Sequence, residues 1–121
     1  MDSGKLPVVV SKGYSEDLQN IFRYGIETFG LSVALQFYEN IERIVNNLGL
    51  EYYMYPECRF IVTKSKMYRN IILASYLIIY RITPERIEVL RAFHSSIQKL
   101  RFKYFSLFGS HFKDKWLWRS M

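Results

Sequence analysis

The chain has 121 residues, half of them hydrophobic, and a net charge of +6. This length and apolar content fit one globular domain with a buried core and exclude an intrinsically disordered chain. A single cysteine, Cys58, excludes an internal disulfide and fits a reducing compartment. Because we find no signal-peptide pattern and no apolar run long enough to span a membrane, we expect a cytoplasmic protein without a membrane partner.

The charge is unevenly distributed along the chain. Residues 1–56 hold four basic and seven acidic side chains, residues 57–96 seven basic and three acidic, and residues 97–121 six basic and one acidic. A molecule polarised in this way suits an anionic partner, such as nucleic acid or an acidic peptide. A solvated basic face is the alternative that charge alone leaves open.

The first half of the chain predicts a strand followed by two helices. Pro7 to Ser11 is a β-branched run typical of a strand. After a turn at residues 12–14, Ser15 is expected to cap a helix that ends at Gly30. A second helix, with Ser32 as its candidate cap, is expected to end at Gly49. Both carry an apolar stripe at 3–4 residue spacing, which predicts an antiparallel helical hairpin with one face on a sheet.

The second half predicts an antiparallel meander of three strands. Runs rich in Ile, Leu, Val and Tyr extend over about residues 68–74, 76–82 and 86–94. The break at Ser75 is too short for a crossover, and Pro84 presets the backbone of the following turn. Residues 59–63 are a further candidate strand. The predicted fold class is therefore α+β, with an N-terminal strand and a helical hairpin packed on a three- to four-stranded, mainly antiparallel sheet.

Two stretches leave alternatives open. Three tyrosines, Tyr52, Tyr53 and Tyr55, are candidates for stacking on bases, but such residues more often cover the edge of a core. Residues 97–121 form a basic, aromatic C-terminal extension to a domain comprising residues 1–96. Ile97, Leu100, Tyr104, Leu107 and Phe108 fit a helical stripe, which predicts a helix packed on the sheet with a frayed end beyond it. Binding of a membrane surface or a partner is the alternative.

The inventory of chemical groups excludes several classes of enzyme. No metal-ligand spacing, phosphate-binding glycine loop or nucleophile elbow is present, so we expect no metal and no cofactor. What remains is a basic sheet with one histidine, which suits phosphodiester chemistry on RNA. In a regular strand, however, Arg91 and His94 would point to opposite faces unless a β-bulge intervenes. A His94 at a strand end that bonds to backbone is the structural alternative.

Taken together, these elements resemble the RelE/ParE superfamily of toxins from bacterial type II toxin–antitoxin systems. The resemblance covers about residues 6–96 and rests on SKGYSEDLQNIFRYGIETFG (Ser11 to Gly30), YRNIILASYLIIYRI (Tyr68 to Ile82) and RIEVLRAFHSS (Arg86 to Ser96). It implies a small cytosolic toxin, of the plasmid-stabilisation type, that is neutralised by a cognate antitoxin whose C-terminal segment wraps it. It also implies two alternative activities on one fold. RelE-like members cut mRNA in the ribosomal A site, whereas ParE-like members inhibit DNA gyrase and are not nucleases.

The nuclease alternative is supported by a local resemblance to YoeB-like members. By that resemblance Glu57 is the general base, Arg69 the phosphate stabiliser and His94 the general acid, while RNA is held by Lys64, Lys66, Arg81 and Arg91. Ser95 stands where those nucleases carry Tyr, and the chain continues for some 25 residues beyond the usual end of the family. We expect a ribosome-dependent endoribonuclease first, a gyrase inhibitor second, and an inactive relic or binding module third.

Overall fold

The computed structural model describes residues 4–58, 64–94 and 118–120. Its elements follow the predicted order. They are β1 (Val8–Ser11), α1 (Lys12–Phe29), α2 (Leu31–Asn46), α3 (Leu48–Glu51), β2 (Tyr68–Leu73), β3 (Tyr76–Ile82), β4 (Ile87–His94) and β5 (Trp118–Ser120). The predicted α+β fold, with an N-terminal strand and a helical hairpin on a mainly antiparallel sheet, is confirmed. None of the described helices is long and apolar enough to cross a membrane.

The sheet contains five strands in the order β2-β3-β4-β1-β5. β1 pairs with β4 in parallel, and the other neighbours are antiparallel. The fifth strand comes from the C-terminal extension, where we expected a frayed end. Its residues pair with the outer edge of β1, Arg119 opposite Val10 and Trp118 opposite Ser11. Residues 118–120 of the extension are therefore part of the sheet.

The predicted start of the first helix is wrong by four residues. α1 follows β1 with no intervening turn, and its N-cap is Ser11 rather than Ser15. The Ser11 hydroxyl accepts a hydrogen bond from the Tyr14 N–H at 2.9 Å and donates one to the Leu90 carbonyl at 2.6 Å. One buried side chain thus satisfies an orphan donor of the helix and a carbonyl of β4.

The junctions of the helical hairpin also differ in part from prediction. Gly30 separates α1 from α2 with φ 91° and ψ 163°, a region open to glycine and to few other residues. It is also the N-cap of α2, so Ser32 is not a cap. α2 ends at Asn46, and Gly49 lies inside α3 instead of ending α2. There it packs so closely that an added Cβ would stand 2.5 Å from the Leu6 carbonyl oxygen.

Both faces of the sheet are buried. The face toward the helices forms the main core, centred on Val10, Leu18, Ile41, Ile78 and Val89. The opposite face buries a second cluster. Its members are Cys58, Tyr68, Leu77, Ile79, Leu90 and Phe93, with Met67 and Trp118 packed against them. Burial on both faces explains why the strands read as nearly continuous apolar runs.

A β-bulge lies in the middle of β4. Ile79 pairs with Arg91 and Tyr80 pairs with Val89, so Leu90 is the extra residue. The bulge shifts the alternation of the strand by one residue. Val89 and Ala92 both lie in the main core, whereas Leu90 and Phe93 both lie in the second cluster.

Two predicted elements lie outside the described residues. They are the candidate strand at residues 59–63 and the helix expected from Ile97. The division of the chain into residues 1–96 and 97–121 stays a prediction.

Candidate functional site

The first part of the candidate site is built around Arg69 on β2. Arg69 pairs with Tyr80 of β3, and its guanidinium reaches the loop that follows α3. Nη1 donates to the Tyr55 carbonyl at 2.8 Å, and Nε donates to the Lys66 carbonyl at 3.3 Å. The guanidinium carbon also lies 5.5 Å from the centre of the Tyr53 ring. Arg69 therefore ties two points of the connection between α3 and β2 to the edge of the sheet.

Tyr80 supports the same loop from beneath. Its hydroxyl donates to the Tyr52 carbonyl at 2.7 Å, and its ring meets the Tyr55 ring edge-on at 6.3 Å. Burial raises the pKa of the Tyr80 phenol, an effect that the nearby positive charge of Arg69 opposes. The phenol remains protonated at neutral pH and keeps its hydrogen bond.

Glu57 lies beside Arg69 through a bridge between the two backbones. The Cys58 N–H donates to the Tyr68 carbonyl at 2.9 Å, and the Asn70 N–H donates to the Pro56 carbonyl at 3.1 Å. These bonds hold residues 56–58 along the free edge of β2. The Oε2 atom of Glu57 is buried and has no hydrogen-bond partner within the described part of the chain. The structure thus brings Glu57 and Arg69 together.

His94 lies at the opposite end of the sheet from Arg69. His94 pairs with Tyr76, which pairs with Leu73, whereas Arg69 pairs with Tyr80. The separation is four residues along the strands, about 13 Å, and two strands across, about 10 Å. The His94 ring instead meets the Tyr76 ring edge-on at 5.3 Å. The structure does not bring the third expected catalytic residue to the other two.

Arg81 and Arg91, two of the four residues expected to bind RNA, are engaged in ion pairs. Arg81 binds the carboxylate of Glu88 on the face of the sheet opposite the helices, and both side chains are largely buried. Arg91 binds Asp17 of α1 through two hydrogen bonds of 2.6 and 2.9 Å. Asp17 balances Arg91, whereas Glu88 is shared between Arg81 and Arg86. Both Arg81 and Arg91 therefore already have hydrogen bonds to a carboxylate, which makes them less available to phosphate.

Lys64 and Lys66 are exposed on the loop that leads into β2. Lys66 has a φ of 55°, a left-handed conformation that few residues other than glycine adopt. Its carbonyl accepts the hydrogen bond from Arg69 Nε, which holds the bend in place. These two lysines lie on the Arg69 side of the site, away from His94.

The sequence did not predict an apolar groove between the two long helices. The groove has a volume of about 240 Å³ and ends at the turn between β2 and β3. Its walls include Phe22, Tyr24, Phe29, Val33, Phe37 and Tyr76. The apolar stripes of the two helices include Phe22, Phe29 and Phe37 but not Tyr24 or Val33. Tyr24, Phe29 and Val33 are each more than half exposed. An excess of apolar residues at the hairpin tip is the signal that could have indicated a surface.

Residues 4–58, 64–94 and 118–120 contain no group of three or more His, Cys, Asp or Glu side chains placed to hold a metal ion.

Comparisons with known proteins give a consistent result. A family model described as "ParE toxin of type II toxin-antitoxin system, parDE" matches residues 8–98. A solved structure titled "Chromosomal ParDE TA system from P. aeruginosa" superimposes with a TM-score of 0.62 at 16% sequence identity. That match covers 75% of this chain and 97% of the other, and at this identity it shows the fold alone. A search of curated proteins finds no match.

Proposed function

The chain belongs to the ParE toxin family of type II toxin–antitoxin systems, and we propose that it arrests growth by binding and inhibiting DNA gyrase in the cytoplasm. The alternative on the same fold is cleavage of mRNA on the ribosome. Fold does not distinguish the two activities, so the proposal rests on the site.

One observation carries the proposal, namely the separation of His94 from Arg69. General acid catalysis requires the acid within hydrogen-bond reach of the leaving oxygen, while the cation stabilises charge on the same phosphate. The two residues stand roughly 16 Å apart, as four residues along the strands and two strands across imply. A toxin that acts by binding has no need of such a centre.

The ion pairs of Arg81 and Arg91 support the same conclusion. A nuclease that grips ribosomal or messenger RNA needs free cations along its binding face. These two guanidinium groups hold Glu88 and Asp17 instead. They contribute to folding more than to recognition of phosphate.

A ribosome-dependent endoribonuclease is the second candidate. The adjacency of Glu57 and Arg69, with Lys64 and Lys66 nearby, favours it. In that mechanism the carboxylate of Glu57 would take the attacking 2′-hydroxyl proton. A residue other than His94 would have to act as the general acid.

The family also implies a cognate antitoxin. We assign the apolar groove between α1 and α2 to it, because the groove is concave and lined by aromatic side chains that a partner chain can cover.

Titrating purified protein into a gyrase supercoiling reaction tests the proposed activity. We expect relaxed plasmid to accumulate, and normal supercoiling at excess protein would contradict it.

A further inference from the structure

A second exposed surface lies at the Arg69 end of the sheet. It consists of Leu50, Tyr53, Met54 and Arg69, and we call it the Tyr53 surface. Leu50, Tyr53 and Met54 are 65%, 68% and 71% exposed, which is unusual for three large apolar side chains within five residues. We infer that the Tyr53 surface is where the toxin holds its protein target, an inference that rests on the proposed function.

The Tyr53 surface is held in a fixed shape before any partner arrives. The Tyr53 ring lies 4.6 Å from the Tyr52 ring and under the guanidinium of Arg69. Arg69 is itself fixed by the carbonyls of Tyr55 and Lys66. A partner therefore gains the contact area of the tyrosine at a small cost in conformational entropy.

The composition of this surface fits a protein rather than a nucleic acid. Tyrosine, methionine and arginine are enriched in protein interfaces, and tyrosine and arginine are also enriched among the residues that contribute most of the binding energy. The charges around it are mixed, since Glu51 and Glu57 lie among the basic residues. Tyr52 and Tyr55 pack against the main core, so Tyr53 alone of the three expected stacking residues is open to a base. The fitting partner presents an apolar recess for Tyr53 and Met54 and a carboxylate for Arg69.

The Tyr53 surface and the groove assigned to the antitoxin lie at opposite ends of β2. The groove ends at Ala74 and Tyr76, whereas Arg69 lies at the far end of β2. Arg69 and Leu73 alone are about 13 Å apart along the strand. A toxin of this kind binds two proteins, its antitoxin and its target. The described residues offer one exposed apolar surface for each.

Two variants of nearly equal exposure test the inference. Tyr53→Ser removes the aromatic anchor of the Tyr53 surface, and Ile72→Thr removes an apolar side chain that is also 68% exposed and lies on β2 outside the groove. Each purified variant is assayed for inhibition of gyrase supercoiling and, by induction without antitoxin, for growth arrest. Tyr53→Phe is the conservative control, and thermal unfolding checks that every variant is folded.

We expect Tyr53→Ser to need at least ten times more protein for half-inhibition and to lose growth arrest. Ile72→Thr should remain as active as wild type, and Tyr53→Phe, which keeps the ring, should recover most of the activity that Tyr53→Ser loses. All melting temperatures should stay within about 3 °C, as for exposed substitutions. Growth arrest by Tyr53→Ser equal to that of wild type would overturn the inference. If wild type arrests growth without affecting gyrase, the gyrase proposal fails, but the growth assay still decides the role of the surface.

A nucleic-acid partner is a separate outcome of the same experiment. A fluorescent single-stranded oligonucleotide that binds wild type and is released by Tyr53→Ser would indicate base stacking. That result would overturn the assignment to a protein target. Equal, weak binding of the oligonucleotide by both proteins supports the assignment.

Discussion

Asp17 on α1 and Arg91 on β4, 74 residues apart in the chain, form a largely buried, two-point ion pair. Asp17 Oδ2 accepts from Arg91 Nε at 2.6 Å, and Oδ1 accepts from Nη2 at 2.9 Å. The same Oδ2 also accepts from the Ala92 N–H. β1 ends before it reaches Ala92, so no β1 residue pairs with this part of β4. The Asp17 carboxylate binds there instead, next to the bulge of β4.

Removal of this carboxylate should destabilise the fold. In Asp17→Ala the Arg91 guanidinium and the Ala92 N–H both lose their partner in a largely buried position. We expect a loss of about 2–3 kcal/mol in the free energy of unfolding, measured by urea denaturation. Glu16→Ala is the matched control, because the Lys12–Glu16 pair is exposed and 4.0 Å apart. If Glu16→Ala changes the free energy of unfolding by more than roughly 0.5 kcal/mol, the loss in Asp17→Ala would reflect the removal of any negative charge and not this ion pair.

Ser11 should matter more to stability than either serine that the sequence indicated as a cap. Ser11→Ala removes the bond to the Tyr14 N–H and leaves the buried Leu90 carbonyl unpaired, so we expect a loss of about 2 kcal/mol. Ser32→Ala, exposed within α2, should change the free energy of unfolding by less than about 0.5 kcal/mol. Equal losses in the two variants would refute the assignment of Ser11 as the cap.

Gly49 should tolerate no side chain. The Cβ of Gly49→Ala would meet the Leu6 carbonyl oxygen at 2.5 Å, and that oxygen belongs to backbone that cannot rotate away. Displacing the segment before β1 should cost about 2 kcal/mol. Gly4→Ala is the control, since an added Cβ at Gly4 has no neighbour within 4 Å. Equal melting temperatures for Gly49→Ala and wild type would contradict the close packing of α3 on this segment.

His94 should be dispensable for toxicity. Because His94 lies at the other end of the sheet from Arg69, we expect His94→Gln to arrest growth as strongly as wild type. Induction in the absence of antitoxin, at matched protein levels, is the measurement. Tyr53→Ser is the internal comparison and is expected to be inactive. If the His94→Gln protein is folded but nontoxic, His94 would again be a candidate general acid.

Local signals in the sequence predicted the helical hairpin and the three-stranded meander, since apolar spacing and turn residues agree there. The N-cap at Ser11 was missed because this residue ends a strand and caps a helix at once. β5 was missed because a strand of three residues has no readable period. Its place beside β1 depends on pairing with residues more than 100 positions away.

The candidate site was harder to predict for a related reason. The sequence placed Arg91 and His94 on opposite faces of a regular strand unless a bulge intervened. The bulge of β4 falls at Leu90, before Arg91, and residues 91–94 pair regularly with β3, so it does not change how these two residues lie relative to each other. Asp17 is near Arg91 only because α1 packs on β4, a contact that no local pattern indicates. The adjacency of Glu57 and Arg69 followed from the family resemblance, while the distance to His94 follows only from strand register.

The most direct test of the central claim compares the two activities on one preparation of the purified protein. A gyrase supercoiling reaction and an mRNA cleavage reaction on translating ribosomes are run over the same range of protein concentrations. We predict that supercoiling is blocked while the mRNA remains intact. Cleavage of mRNA in the ribosomal A site with normal supercoiling would contradict the proposed function and establish the nuclease in its place.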